Sequence, residues 1–122
     1  MSKKILVAED SSVIQNLTKR ILKGQKYEVT TVKNGKRVIE ILGKEQFDII
    51  LMDINMPLMD GMECAREIRK KNLPNSKIPI IAITGNAKNY TIEDFQEIGI
   101  NNYLPKPLNY DHMVEMISKY VS

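Results

Sequence analysis

The sequence predicts an α/β fold in which five parallel strands form one doubly wound sheet in the order 2-1-3-4-5, with helices on both faces. Two observations predict it: short apolar runs alternate with helical patterns five times along the 122 residues, and the runs are followed by polar residues. Such runs are typical of strands buried on both faces of a parallel sheet. Five strands cannot close an eight-stranded barrel, and they fit this order better than the six-stranded order of dinucleotide-binding sheets.

The strands themselves are predicted from the positions of the apolar runs, at 5–9, 27–33, 48–53, 79–84 and 101–105. The third run is the most uniformly apolar, which favours a central place in the sheet. The second run is β-branched and half polar, which suits an edge strand. Asn34-Gly35 is expected to form a turn directly after it.

Helix starts are marked by side chains that accept hydrogen bonds from free backbone N–H groups. Ser11 or Ser12 begins the first helix, Thr91 with Asp94 resembles a capping box for the fourth, and the fifth starts near Asn109. The first helix is expected to bury an apolar face formed by Ile14, Leu17 and Ile21. Glycines are expected to end the first, second and fourth helices, at Gly24, Gly43 and Gly99.

Composition limits the classes of function. The net charge of +3 comes from 18 basic and 15 acidic residues that are dispersed along the chain, so no direct nucleic-acid interface is expected. One cysteine, Cys64, excludes an intramolecular disulfide and fits a reducing compartment. No signal peptide is recognised, and no apolar run approaches the roughly 18 residues that a membrane helix needs. We therefore expect a cytoplasmic protein, without membrane insertion, in which residues 1–122 form one domain.

Polar residues at four strand ends form a candidate site: Glu9 with Asp10, Asp53, Thr84 and Lys106. Ligands of open α/β sheets bind at the carboxyl ends of the strands, and strands one and three are neighbours in the predicted order. Clustered carboxylates repel one another unless a cation lies among them, and a hard oxygen site with few ligands suits Mg²⁺. Each residue taken alone is more often a solvated strand end or a helix cap. Their coincidence at one edge favours a site.

Asp53 is the candidate nucleophile, because carboxylates can attack phosphorus to give an aspartyl phosphate. Lys106 and Thr84 are candidate donors to the phosphoryl oxygens. This interpretation requires Asp53 to lie within a side chain's reach of residues 9 and 10. It also requires an accessible carboxylate, and a buried Asp53 would count against it.

The segment Asp53–Gly61, with the sequence DINMPLMDG, resembles the phosphoacceptor loop of bacterial response-regulator receiver domains. The resemblance covers essentially the whole chain. Glu9-Asp10 resembles the acidic pair of that family, Thr84 its switch hydroxyl, and Lys106 its lysine followed by proline. Tyr103 matches the aromatic switch position. The resemblance implies a flavodoxin-like three-layer sandwich and a single receiver domain, 1–122, without an output domain.

The resemblance also implies a mechanism. Mg²⁺ would be held by Asp10, Asp53 and the backbone carbonyl of Asn55, with Glu9 binding directly or through water. Asp53 would accept a phosphoryl group from a phosphohistidine of a sensor kinase or histidine phosphotransfer protein, as in two-component and phosphorelay signal transduction. Lys106 would contact the phosphoryl oxygens.

Activation would then move two further residues. Thr84 would shift toward the phosphoryl group and Tyr103 would turn inward. The surface formed by helix four, strand five and helix five would change for a downstream effector. A monomer or a phosphorylation-dependent dimer is expected, and Lys106-Pro107 is expected to be a cis peptide.

The chain departs from the family at Gly85, where alanine is usual, and Asn55 and Asn86 occupy positions that tune hydrolysis. The sequence around Thr84 and Tyr103 is close to that of receivers fused to hybrid kinases. That similarity would suit a piece of a longer protein, but residues 1–4 look like a natural start, so a stand-alone receiver is expected. A receiver excised from a hybrid kinase, or a phosphate carrier or sink in a phosphorelay, stays open.

Two other function classes fit less well. A phosphatase with an aspartate nucleophile needs a general acid two residues later, and Asn55 cannot donate that proton. A flavin or nucleotide binder needs a phosphate loop after strand one, where Glu9-Asp10 would repel phosphate. We expect a signalling switch that catalyses only its own phosphorylation and dephosphorylation. It is not expected to be an enzyme that turns over external substrates.

Overall fold

The computed structural model describes residues 2–70, 75–85 and 87–122. Its five parallel strands form one sheet in the order β2-β1-β3-β4-β5, so the predicted order is confirmed. The strands are β1 Lys4–Ala8, β2 Glu28–Val32, β3 Ile49–Asp53, β4 Ile80–Thr84 and β5 Asn102–Pro105. Each lies within about a residue of its prediction. β3 is central and fully buried, whereas β2 is a half-buried edge strand.

In the described part of the chain, five α-helices connect or follow the strands: α1 Ser12–Gly24, α2 Gly35–Leu42, α3 Gly61–Lys70, α4 Ile92–Glu97 and α5 Tyr110–Val121. A short 3₁₀ helix, Ala87–Asn89, precedes α4 and was not predicted. The predicted caps of α1, α4 and α5 are present, at Ser11, Thr91 and Asn109. No helix of the described residues has the length and hydrophobicity to cross a membrane.

The turn expected at Asn34-Gly35 is instead the start of α2. Asn34 is the N-cap, and its side-chain oxygen accepts a hydrogen bond from Arg37 N at 2.9 Å. Gly35 is the first helical residue and packs tightly: a Cβ there would lie 2.5 Å from the carbonyl oxygen of Met59. The glycine is therefore needed for close approach of α2 to the loop after β3.

The core has two parts, one on each face of the sheet. Successive strand residues alternate between them, as the period of two in a strand requires. Leu6 and Ile50 point to the side covered by α2, α3 and α4, and Ile5 and Leu51 point to the side covered by α1 and α5. This is the doubly wound arrangement that the apolar runs predicted.

The buried face of α1 is only partly the predicted one, because Ile21 packs against the core but the most deeply buried residues are different ones. Its buried residues are Gln15, Thr18 and Leu22, whereas the expected Leu17 is 41% exposed. The apolar pattern misled because a helix packed over strand ends must also supply polar groups to their carbonyl oxygens. Gln15 does so, as described below.

Asn75 ties together chain segments at the amino ends of the strands. It is 5% exposed, and its Oδ1 accepts a hydrogen bond from Phe47 N at 3.2 Å. Its Nδ2 donates to the carbonyl oxygens of Leu42 at 2.9 Å and Glu45 at 2.8 Å. One side chain thus satisfies three backbone groups around the start of β3.

Arg69, near the end of α3, plays the same part beside β4 and β5. Its guanidinium donates to the carbonyl oxygen of Gly99 at 3.0 and 2.7 Å and to that of Ser76 at 2.8 Å. It also donates to Asn101 Oδ1 at 3.2 Å. Gly99 has φ +96°, and a Cβ there would lie 2.5 Å from Arg69 Cγ. Both the backbone conformation and the arginine therefore require glycine.

Candidate functional site

The sheet brings the three predicted carboxylates together at its carboxyl edge. Asp53 is the last residue of β3, and Glu9 and Asp10 directly follow the neighbouring β1. One oxygen of each carboxylate can be chosen so that all three lie within 4.8 Å of one another. Because the strands are parallel and in register, residues 44 positions apart in sequence reach one point. The expected proximity is thus present.

Asp53 is bound at both of its oxygens. Lys106 Nζ lies 2.8 Å from Oδ2, and Asn55 N donates to Oδ1 at 3.0 Å. The side chain is only 1% exposed, so the expectation of an accessible carboxylate is wrong for this structure. Asp53 ends a strand that is buried along its whole length, and the Lys106 ammonium lies against its carboxylate as an ion pair. The Lys106 side chain itself is 30% exposed.

Glu9 is almost as deeply buried, at 2% exposure. Its Oε2 accepts a hydrogen bond from Ser11 N at 3.0 Å, while Oε1 has no hydrogen-bond partner among the described residues. The pKa of Glu9 is raised to about 7, mainly because the carboxyl is buried; the neighbouring Asp53 also raises this pKa, whereas the Ser11 N–H and the Lys106 charge oppose the rise. A buried carboxylate oxygen without a partner is costly, and it indicates a missing cation or proton donor.

The acid cluster fits a hard divalent cation. Its oxygens come from three carboxylates, two buried and one, Asp10, exposed to solvent. Mg²⁺ prefers such oxygen ligands and keeps several of its waters, which the exposed side of the cluster would accommodate. Glu9, whose Oε1 has no hydrogen-bond partner among the described residues, belongs to this cluster. The three carboxylates and the unpaired oxygen therefore both indicate a cation site.

The other two strand ends place Thr84 and Lys106 at the same edge. Thr84 is the last residue of β4 and is buried, and Lys106 follows β5, where its N–H donates to the Thr84 carbonyl oxygen at 2.9 Å. The peptide between Lys106 and Pro107 is cis, as expected. A Cβ on Gly85 would lie 3.9 Å from Lys106 Cδ, which is ordinary contact, so an alanine there would fit. Asn86 lies outside the described residues.

Tyr103 lies behind this edge in a stack of three aromatic rings. The Phe95 ring centroid is 5.1 Å from that of Tyr103 and 5.3 Å from that of Tyr90. Phe95 is fully buried and both tyrosines are partly buried. The stack joins β5 to α4 and to the segment before it, so Tyr103 has direct contact with the elements that the resemblance expects to move.

Sequence reasoning missed Gln15, which lies under the acid cluster. Its Nε2 donates to the carbonyl oxygens of Glu9 and Val32, both at 3.1 Å. The available signal was a glutamine within the helix directly after an acidic pair. Local periodicity had instead placed the buried face of α1 at Ile14, Leu17 and Ile21.

Comparison with known proteins agrees with the fold. A family described as the response regulator receiver domain matches residues 5–118. In the curated proteins, the chain is 35% identical over 124 residues to hybrid signal transduction histidine kinase I of Dictyostelium discoideum, covering 97% of this chain and 7% of that protein. It is 32% identical over 120 residues to the transcriptional regulatory protein CrdR of Helicobacter pylori, covering 98% of this chain and 55% of CrdR. The chain thus spans only part of these relatives.

Solved structures are similar over nearly the full length. The receiver domain of sensor histidine kinase PA1611 from Pseudomonas aeruginosa PAO1 is 31% identical with a TM-score of 0.89, covering 99% of this chain and 98% of that chain. That crystal structure has a magnesium ion coordinated in the active site cleft. Chemotaxis response regulator CheY4 of Vibrio cholerae is 26% identical with a TM-score of 0.90, covering 98% of this chain and 99% of that chain.

Proposed function

The chain belongs to the response regulator receiver domain family, and we propose that it is a phosphorylation-activated signalling switch whose phosphoacceptor is Asp53. One observation carries the assignment of this residue. Asp53 is one of the three clustered carboxylates and also forms an ion pair with the ammonium of Lys106, at the edge where the parallel strands end. That arrangement supplies a nucleophile, a cation site and a charge that can neutralise a phosphoryl group.

The acid cluster would hold Mg²⁺ through Asp10, Asp53 and the backbone carbonyl of Asn55, with Glu9 binding directly or through water. The unpaired oxygen of Glu9 and the magnesium ion in the similar PA1611 receiver support this ligand set. When bound, the ion would neutralise carboxylate charge and charge that develops on the phosphoryl oxygens.

The reaction is a phosphoryl transfer from a phosphohistidine of a histidine kinase or phosphotransfer protein. An oxygen of Asp53 attacks phosphorus, an O–P bond forms, the P–N bond to the imidazole breaks, and the imidazole takes up a proton. Lys106 must first leave Asp53 Oδ2, and it can then pair with a phosphoryl oxygen instead. The Thr84 hydroxyl is the second donor to the phosphoryl group. Lys106 would therefore exchange its ion pair with the Asp53 carboxylate for an ion pair with the phosphoryl group.

The output would be a changed surface on α4, β5 and α5. Movement of Thr84 toward the phosphoryl group would favour the inward position of Tyr103, whose ring contacts Phe95. A cavity of about 270 Å³ on this surface, lined by β5 and α5 residues including His112, Met116 and Tyr120, supports its use by an effector protein. Occupation of a pre-existing conformation suffices for such a change.

We propose that residues 1–122 act as one receiver domain in the cytoplasm, where kinases form phosphohistidine from ATP. The domain would catalyse only its own phosphorylation and dephosphorylation, because Asn55 cannot supply the general acid of a phosphatase. It would act as a monomer or a phosphorylation-dependent dimer. The similarity to histidine kinases leaves a second candidate, a receiver within a hybrid kinase or a carrier in a phosphorelay.

Labelling with acetyl phosphate tests the proposal. In Mg²⁺ the wild type should gain the mass of one phosphoryl group, measured on the intact protein, whereas Asp53→Asn and the wild type in EDTA should not. An unchanged wild-type mass, or equal labelling of Asp53→Asn, would contradict the proposal.

The same samples test the relay. Thr84→Ala and Tyr103→Ala should still be labelled through Asp53, but labelling should no longer change the NMR signals of α4 and β5. A wild-type response in both variants would mean that the signal reaches this surface by another route.

A further inference from the structure

We infer that Gln15 is a positioning residue for this site, holding the main chain of Glu9 so that one Glu9 carboxylate oxygen is left for the cation. The inference rests on the proposed function and names a residue on which metal affinity depends. Gln15 lies on the buried face of α1 and is 8% exposed. It is not one of the acids, and it touches neither Asp53 nor Lys106 through any hydrogen bond described above.

The geometry of Gln15 links two strand ends. Its single Nε2 carries two hydrogens, and they are donated to the carbonyl oxygens of Glu9 and Val32, both at 3.1 Å. Val32 is the last residue of β2 and Glu9 directly follows β1, so the glutamine closes the gap where these neighbouring strands end. An uncharged side chain with two donors on one atom meets both carbonyls without adding a charge beside the acids.

Three groups of Glu9 are held by hydrogen bonds, one of them from Gln15. Its N–H donates to the Val32 carbonyl oxygen at 3.0 Å, its own carbonyl accepts from Gln15, and its Oε2 accepts from Ser11 N. With the backbone and one carboxylate oxygen held, Oε1 stays in the acid cluster with no hydrogen-bond partner among the described residues. The arrangement keeps a buried oxygen ready for a cation instead of letting it turn toward another donor.

Loss of the Gln15 amide should therefore weaken Mg²⁺ binding through Glu9. Residues that orient metal ligands typically change metal affinity by about 10- to 100-fold when they are mutated. Since Gln15 acts on the backbone and not on the carboxylate, we expect the lower end, a Kd for Mg²⁺ raised about ten-fold. The variant Gln15→Met tests this, because methionine has similar length and volume but no donor.

Asn75 provides a matched control at the opposite end of the sheet. Like Gln15 it is a buried amide whose nitrogen donates to two carbonyl oxygens, those of Leu42 and Glu45. Asn75→Leu removes the same kind of interaction away from the acid cluster. Both variants should lose stability in EDTA, but only Gln15→Met should bind Mg²⁺ more weakly than the wild type.

Two measurements separate positioning from mere stability. The Kd for Mg²⁺ is measured by isothermal titration calorimetry, and independently from the rise of the unfolding free energy with Mg²⁺ concentration, which depends on Kd and not on the starting stability. A third variant, Gln15→Asn, keeps the amide but withdraws it by one methylene, and its Kd should fall between those of the wild type and Gln15→Met. If Gln15→Met does not fold, the Kd of Gln15→Asn for Mg²⁺ is compared with that of Asn75→Leu, and this comparison tests the inference.

The outcomes are distinct. A raised Kd for the Gln15 variants with an unchanged Kd for Asn75→Leu supports the inference. A Kd within two-fold of the wild type for the Gln15 variants, or an equal rise in Asn75→Leu, overturns it. If the wild type itself binds no Mg²⁺ and accepts no phosphoryl group, the proposed function fails, and the inference fails with it.

Discussion

At the amino ends of the strands, the buried side chain of Asn75 and the half-buried side chain of Arg69 use their polar atoms in hydrogen bonds to backbone carbonyls and a neighbouring amide. At the carboxyl ends, Glu9 Oε1 has no hydrogen-bond partner among the described residues, and Asp53, the proposed phosphoacceptor, is held in an ion pair. Both ends carry polar or charged side chains that are at least half-buried. They differ in whether the bonding capacity of those side chains is already used.

That difference separates stability from function. A side chain whose hydrogen bonds are complete lowers the free energy of the fold, and removing it leaves backbone groups unpaired. A side chain with an unused oxygen destabilises the metal-free fold, and its bonding capacity is available to a ligand. Asn75→Leu and Glu9→Gln should therefore change stability in opposite directions.

The largest expected effect is at the amino end. Asn75→Leu leaves Phe47 N and the carbonyl oxygens of Leu42 and Glu45 without their partner. Each buried unpaired group costs about 1–3 kcal/mol, so the free energy of unfolding should fall by roughly 3 kcal/mol or more. Urea denaturation measures it. A loss below about 1 kcal/mol would show that water replaces the asparagine.

The substitution Glu9→Gln should change the free energy of unfolding in the opposite direction and stabilise the metal-free protein. Because the pKa of Glu9 is raised to about 7 in the folded protein, from 4.5, the folded state holds a proton between these pH values that the unfolded state has lost. The stability of the metal-free wild type should therefore fall as the pH rises through this window and stay low above it. Glu9→Gln removes that loss, so at pH 8 in EDTA it should be more stable by on the order of 1–3 kcal/mol.

Denaturation curves at pH 4 and pH 8 check the Glu9 prediction, since the gain should be near zero at the lower pH. Saturating Mg²⁺ should reverse the order of stability, because the wild type retains the better cation site. A variant that is less stable than the wild type in EDTA at pH 8 would contradict the comparison between the two ends.

The smallest expected effect is at Gly85. Its φ lies outside the left-handed region and a Cβ there would make ordinary contact with Lys106 Cδ at 3.9 Å. Gly85→Ala should therefore stabilise the fold by about 0.4–1 kcal/mol, through lower entropy of the unfolded chain. The added methyl should also restrain the Lys106 stem and slow loss of the phosphoryl group. Denaturation and decay of the labelled mass measure the two effects, and faster decay would contradict the second.

Much of the fold follows from local patterns in the sequence. Uniform apolar runs marked β3 and β4, the half-polar run marked the edge strand β2, and side-chain caps marked helix starts. The proximity of Glu9 to Asp53 followed from the strand order. These predictions succeeded because each rests on one periodicity or on one topological rule.

The remaining features depend on contacts between distant segments. Asn75 and Arg69 bond to groups some 30 residues away, and no local pattern indicates such partners. Gln15 replaced the expected Leu17 on the inner face of α1 because strand ends need donors there. The ion pair of Asp53 with Lys106 was missed for the same reason, since it joins residues that lie 53 positions apart.

The ring stack of Tyr90, Phe95 and Tyr103 bears on how a change at the proposed phosphorylation site would be coupled to α4 and β5. Its members touch through aromatic faces and edges, and Phe95 is wholly removed from water. Dispersion and apolar hydration do not depend on ionic screening, unlike the attraction between Lys106 and Asp53. Coupling through the rings would thus survive high salt and weaken on cooling, so temperature would tune the response independently of ionic strength.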